Sequence, residues 1–401
     1  MIIAAKFIVP VVGPVIEGGA IHVENGRITR IESSWQGRAD HDFGNAIILP
    51  GLINTHTHLE FSDLETPLGE GSMPFPDWIR SVIQWRRSHD ESTVAERTIA
   101  AVQNGLRESL RAGTTTVGEI ATYDVEISVP DSPHVIAFRE LIGLAPERVE
   151  SLLGLAERHL NAASNALAAI SPHAPYTVHP DLLTEICQMS HREHFPVAMH
   201  LAESREELQL LDEQGGAMQQ MLAAVGAWPQ GVFRPGTRPL FYLSKLRAAW
   251  RSLVVHGNYL DSEELDFIAA NRETMSLVYC PRTHHYFGHD RYPLADALER
   301  GVRVVLGTDS RASNPDLCLL NEMRFVVQTH EGISNSDVLE MATIRGAESL
   351  GLQQDRGSLQ VDKRADLVVM VCPSETRDPV DYVLNSKTQP AAVFIDGCEV
   401  A

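Results

Sequence analysis

Two histidines, one residue apart, close the segment Ile47-Ile48-Leu49-Pro50-Gly51-Leu52-Ile53-Asn54-Thr55-His56-Thr57-His58. At strand spacing, side chains two positions apart point to the same face. Two neutral imidazoles converging on one point make half of a divalent-metal site. The same event recurs along the chain, where short apolar runs end in His173, His200, His256 and Asp309. Imidazole nitrogens and a carboxylate oxygen are donors that zinc and ferrous iron accept. Such a metal lowers the pKa of a bound water toward neutrality, so the chemistry on offer is hydrolysis.

Each of these residues must be delivered by an element. Between Gly51 and Arg356 short apolar runs alternate with helical segments, and eight runs read as strands: Ile47–His58, Thr114–Ile120, Val135–Leu144, Leu167–Ala174, Pro196–Leu201, Ser252–Gly257, Met275–Pro281 and Val302–Asp309. Helical periodicity follows at Ser92–Leu110, Pro180–His191, Ser204–Ala224 and Ser262–Ala270. Eight such units over this length suit a (β/α)8 barrel, whose catalytic groups lie at the C-terminal ends of the strands. His56, His58, His173, His200, His256 and Asp309 all fall at such ends. Residues 1–49 are strands and turns, with a hairpin signal at Asn25-Gly26, and the tail returns to strands at Gly357–Val361, Ala365–Val371 and Ala391–Val400. The expectation is an α/β protein: a TIM barrel over 50–356, beside a small β-sandwich domain built from 1–49 and 357–401. Two long connections, Leu59 to about Asp90 and Glu213 to Arg251, carry aromatic residues and are placed to wall the barrel mouth or to pack against it.

Composition narrows the class. The chain has 401 residues, 44% of them hydrophobic and 21% charged, enough for a sizeable core. A formal net charge of -20 disfavours nucleic-acid phosphate and anionic membrane surfaces as partners. No stretch is long and apolar enough to span a bilayer. Met1 to Ile16 is apolar but broken by Pro10, Gly13 and Pro14, and reads as β-structure rather than a leader. Five cysteines without a CxxC pair read as reduced thiols of a cytoplasmic protein.

These motifs together resemble those of the amidohydrolase superfamily. Pro50-Gly51-Leu52-Ile53-Asn54-Thr55-His56-Thr57-His58 is similar to its first-strand signature. Ala198-Met199-His200-Leu201-Ala202-Glu203 resembles the fifth strand of its aminohydrolase branch, Val255-His256-Gly257 the sixth and Leu306-Gly307-Thr308-Asp309-Ser310 the eighth. The stretch from Gly357 to Leu367 is similar to the family's return to its small β domain, so the resemblance covers essentially the whole chain. It implies one divalent metal, zinc with iron as the alternative, held by His56, His58, His200 and Asp309. Asp309 would also accept the water's proton and His256 would steer the water. Glu203 would carry a proton to a ring nitrogen and then to the leaving group. His173 matches a fourth-strand histidine that touches substrate. Two-metal members commonly bridge their metals with a carboxylated lysine, and no lysine lies between Lys6 and Lys245, which favours a single metal. Glu119 is the one alternative bridge. His58-Leu59-Glu60 also matches the H-x-E of another zinc deaminase class, but its P-C-x-x-C partner is missing.

The branch implies hydrolytic deamination of an aminated nitrogen heterocycle: hydroxide attacks the amino-bearing carbon and ammonia leaves. An adenine nucleoside such as adenosine, S-adenosylhomocysteine or aminodeoxyfutalosine is favoured, because Cys280-Pro281-Arg282-Thr283-His284-His285-Tyr286-Phe287 resembles the pocket loop of such deaminases. On that basis His284 and His285 would contact the heterocycle. Arg148, Arg139 or Arg282 would pair with a distal carboxylate. Ser310 and Asn314 would contact substrate or support Asp309. A triazine-type hydrolase with a halide or substituted-amine leaving group is the first alternative. A non-catalytic barrel used for binding is the second, and the retained donor set argues against it. Family members are often homo-oligomers, so self-association is an expectation.

Overall fold

The computed structural model describes residues 1–90, 92–123, 131–162, 166–229 and 231–401. Eight parallel strands form one sheet: β1 (Leu52–Thr57), β2 (Thr114–Ala121), β3 (His134–Leu141), β4 (Leu167–Pro172), β5 (Pro196–Leu201), β6 (Arg251–His256), β7 (Met275–Tyr279) and β8 (Val304–Leu306). They pair in chain order, and a parallel bridge from Thr57 to Asp309 brings the last strand back to the first. Polar side chains of β1 complete the closure. Asn54 Nδ2 donates to Thr308 Oγ1 (2.7 Å), and the Thr55 and Thr57 hydroxyls donate to the carbonyls of Leu306 (2.8 Å) and Asp309 (2.9 Å). The Asn-Thr-His-Thr pattern is thus half closure and half chemistry. The remaining barrel strands are largely buried on both faces, as strands covered by helices outside and side chains inside must be.

The long apolar run that ends in the first histidine pair is two strands rather than one. Ala46–Pro50 belongs to a second sheet, and the barrel strand begins at Leu52. Gly51 is the joint, where any Cβ would run into the Thr115 side chain. The second sheet is mixed and draws on both chain ends. Its backbone runs from Cys398–Glu399 through Ala392–Ile395, Leu367–Val371, Ala46–Pro50, Ile2–Ile8 and Ile16–Glu24 to Arg27–Glu32, with His41–Asp42 added beside Ile2–Ile8. Ile3, Ile21, Ile28, Ile48, Leu367 and Phe394 share one core there. Its hairpin turns at Asn25 and Gly26, both at positive φ (51° and 76°), as a two-residue turn of this hand requires.

The helix expected over Ser204–Ala224 is interrupted by Gly215-Gly216. In the first long connection lies α1 (Phe75–Arg87); the interrupted segment gives α2 (Arg205–Glu213) and α3 (Gly216–Ala224). On α1 the residues Phe75, Trp78, Ile79 and Val82 recur at helical spacing and make one apolar stripe. Among the described residues no helix is long and apolar enough to cross a membrane. The five cysteines are free thiols, four of them buried.

Candidate active site

The C-terminal ends of β1, β5, β6 and β8 converge. One nitrogen each from His56, His58 and His200 lie within 4.8 Å of one another. Asp309 Oδ1 stands 3.6 Å from Nε2 of both His56 and His58. Its other oxygen accepts the Ser313 hydroxyl at 3.0 Å, which leaves Oδ1 facing the imidazoles. His200 Nδ1 donates to the His173 carbonyl at 2.9 Å, a contact that fixes the tautomer with a lone pair on Nε2. Burial, joined by the neighbouring imidazoles, pushes His58 and His200 well below the ordinary histidine pKa, so both are neutral. Burial would raise Asp309, yet the imidazoles of His56, His58 and His256 outweigh it and keep the carboxylate ionised.

Whether these residues suit a metal can be judged from their unmet polar atoms. Both ring nitrogens of His56 and Nδ1 of His58 are buried without a hydrogen-bond partner among the described residues. Leaving such groups unpaired is costly, and native proteins rarely do so. Three imidazoles and one carboxylate around a common focus form a donor set that a divalent cation satisfies. The fit is good.

Beside this cluster stand Glu203 and His256, with Oε1 and Nε2 3.4 Å apart. Burial, followed by the charges of Asp309 and Glu207, raises the Glu203 carboxyl well above the usual range, which suits a group that must hold a proton at neutral pH. Burial lowers His256 to about 3, so it is a neutral hydrogen-bonding group. Ala202, His256 and Asp309 all sit at positive φ (53°, 70° and 55°), a conformation L-residues avoid unless their surroundings impose it.

His58, His200, Glu203, His256 and Asp309 open onto one cavity of about 250 Å³, and His56 lies fully buried behind them. His173, Ser310, Glu140 and Arg86 also line its polar end, while Phe75, Trp78 and Ile79 of α1, with Met221 and Leu222 of α3, form an apolar wall. The His173 ring is held through Nδ1 by the Thr177 hydroxyl (2.7 Å), and its Nε2 lies 3.9 Å from Glu140. The two long connections are therefore walls of the site. Arg86 and Glu140 escaped the sequence reading. Glu140 carried a usable signal, an acidic residue at a strand end, the same rule that marked Asp309. Arg86 carried none, since only the folding of α1 over the mouth brings it in.

Other expected contacts lie elsewhere. His284 packs on Tyr279, Tyr292 and His289, and His285 packs against Phe325, so neither lines the cavity. The chain turns into a short helix at Pro281 that carries both rings away from the mouth. Arg282 is committed to Glu322 (2.7 Å) and Asp316 (2.6 Å) and is no anchor for a substrate carboxylate. Arg139 precedes Glu140 on β3 and so points to the opposite face of that strand. Arg148 stands in a neighbouring cleft that shares Ile142, Tyr176 and Thr177 with the cavity. Asn314 lies buried behind Asp309, donating to the Thr308 carbonyl (2.8 Å) and to Glu322 (2.6 Å). Glu119 accepts the Leu59 N–H (2.9 Å) and the Tyr123 hydroxyl (3.0 Å); it fixes the turn after His58 and does not line the cavity.

Residues 47–400 match the Amidohydrolase family, and the chain belongs to it. It is 26% identical over 384 residues to a 5-methylthioadenosine/S-adenosylhomocysteine deaminase of Moorella thermoacetica, covering 90% of this chain and 83% of the relative. Its fold is similar to that of Helicobacter pylori aminofutalosine deaminase in complex with methylthio-coformycin (TM-score 0.84, 23% identity, all of both chains). It is also similar to zinc-complexed atrazine chlorohydrolase from Arthrobacter aurescens TC1 (TM-score 0.77, 19% identity, 99% of this chain and 94% of the other).

Proposed function

We propose that this protein is a metal-dependent hydrolase that deaminates an adenine-type nucleoside and releases ammonia. The observation that carries the reading is the convergence of His56, His58, His200 and Asp309 beside the Glu203–His256 pair, at the floor of one aromatic-walled cavity. The deaminase relative supports the reaction class, and the nucleoside-analogue complex of the Helicobacter pylori enzyme supports the ring system. The three imidazoles and Asp309 would hold a divalent ion, zinc by this donor set, which would supply a water acidic enough to ionise near neutral pH. Asp309 accepts the proton of the attacking water, and His256 orients it. Glu203 protonates the ring nitrogen next to the amino-bearing carbon, so that the carbon accepts the new C–O bond. The proton that Asp309 took from the water then passes to the amino group, the C–N bond breaks as the new carbonyl forms, ammonia departs, and the hydroxyl's remaining proton returns to Glu203.

His173 and Ser310 contact the substrate at the polar end, and Arg148 is reached only by a substituent long enough to enter the neighbouring cleft. The catalytic part is residues 50–356, with 1–49 and 357–401 as a separate small β domain. The partner is a small heterocyclic molecule, and buried free thiols support a cytoplasmic site of action. The test is ammonia release by the zinc-loaded protein across adenosine, 5-methylthioadenosine, S-adenosylhomocysteine, aminodeoxyfutalosine, guanine, cytosine and aminotriazines. Turnover of the adenine nucleosides is the expected result. Turnover confined to a triazine, or none at all with one metal bound per chain, overturns it.

A further inference from the structure

Glu207 takes no part in the chemistry described above, yet it is fully buried, with an ionisable group and, among the described residues, no basic side chain bonded to it. Its two oxygens are both spent on the backbone. Oε1 accepts the Ala202 N–H and Oε2 the Glu203 N–H, each at 2.9 Å. Glu207 is the third residue of α2, whose N-cap is Ser204, and the Ser204 hydroxyl accepts the Glu207 N–H at 3.1 Å. An ordinary capping box would return the Glu207 carboxylate to the N–H of Ser204 itself. The protein builds that ordinary form elsewhere, at Asp261 and Glu264. At Ser204 the carboxylate reaches past the N-cap and also takes the two N–H groups before it.

Those two peptides flank Ala202, which is at positive φ, and set the direction in which the Glu203 side chain leaves the backbone. From the other side, Asn258 Nδ2 donates to the Glu203 carbonyl at 2.8 Å, and Asn258 is separated from His256, the last residue of β6, only by Gly257. Glu203 and His256 are therefore referred to one frame, and Glu207 is the part of it that reaches across the turn.

We infer that Glu207 is a positioning residue for Glu203: its bidentate grip on the Ala202 and Glu203 amides holds the proton-carrying carboxyl at its place beside His256. This rests on the role given to Glu203 under Proposed function. Glu207→Gln is nearly isosteric but turns an NH₂ group toward one of the two N–H donors. Turnover number should fall roughly 10- to 100-fold, the scale of a misplaced catalytic group, with KM and bound metal unchanged. In a Glu203→Gln background the same substitution should cost nothing further, because the group it positions is already disabled. A merely structural role would give equal losses in both backgrounds. A crystal structure of Glu207→Gln should show the Glu203 carboxyl withdrawn from His256. Unchanged turnover, equal losses in both backgrounds, or an unmoved Glu203 would each overturn the inference. If the wild type deaminates no adenine nucleoside, the functional reading fails, and the crystal structure still decides where Glu207 holds Glu203. Should Glu207→Gln not fold, Glu207→Asp, which keeps the charge but withdraws the carboxylate, carries the same measurements.

Discussion

In the proposed mechanism Glu203 and His200 have separate jobs within one site. Glu203→Gln leaves the donor cluster intact, so metal content should be unchanged while turnover falls about 100-fold or more, the loss expected of a general acid–base group. His200→Ala removes one of three converging nitrogens, so metal and turnover should be lost together, as metal analysis beside a rate assay would show. At this scale the sequence was legible wherever a chemical residue type coincided with a strand end, as at His56, His58, His173, His200, His256 and Asp309. It was misleading after β7, where His284 and His285 follow a strand end but the chain turns into a helix that buries one ring against tyrosines and lays the other on Phe325. Glu207 was invisible because its backbone partners depend on the local path of a turn, which residue types do not encode.

At the level of elements, α1 and α3 form the apolar wall and carry none of the donors. Their contribution is to binding, made alike in the ground state and the transition state, so Trp78→Ala should raise KM several-fold with turnover number little changed. A fall in turnover number with KM unchanged would instead place Trp78 in the chemistry. The alternation of strand and helix was readable because barrel strands are short apolar runs and their helices amphipathic. The division at Gly51 was not, since Ile47 to Ile53 is apolar throughout apart from one Pro-Gly step, and two strands of different sheets look like one. Gly215-Gly216 was a visible breaker inside an otherwise helical pattern, and its effect was to give the cavity wall a helix of its own.

Across the whole molecule, the barrel and the second sheet share an apolar core that includes Ile47, Leu49, Val368 and Met370, and charged groups lie beside it. His134, which opens β3, is lowered to about 4 by burial and then by the nearby guanidinium groups of Arg356 and Arg364. Its folded pKa is depressed, so between about pH 6.5 and pH 4 the unfolded chain binds a proton that the folded chain refuses. Stability from this residue is therefore complete above that window and is lost as pH falls through it. Urea unfolding of His134→Gln should show a shallower decline over the same range than the wild type, and an identical decline would remove His134 as a contributor.

The pairing of Ala46–Pro50 with Leu367–Val371 sets a timetable for the chain as it is made. The strand that leads into the first histidine pair emerges during synthesis well before Leu367–Val371, one of its two neighbours. Until that late strand arrives, Ala46–Pro50 has only Ile2–Ile8 beside it and exposes an apolar edge. Sequence-distant pairing of this kind is slow to form, and it leaves the newborn chain open to wrong partners for as long as the ribosome is still at work on the barrel.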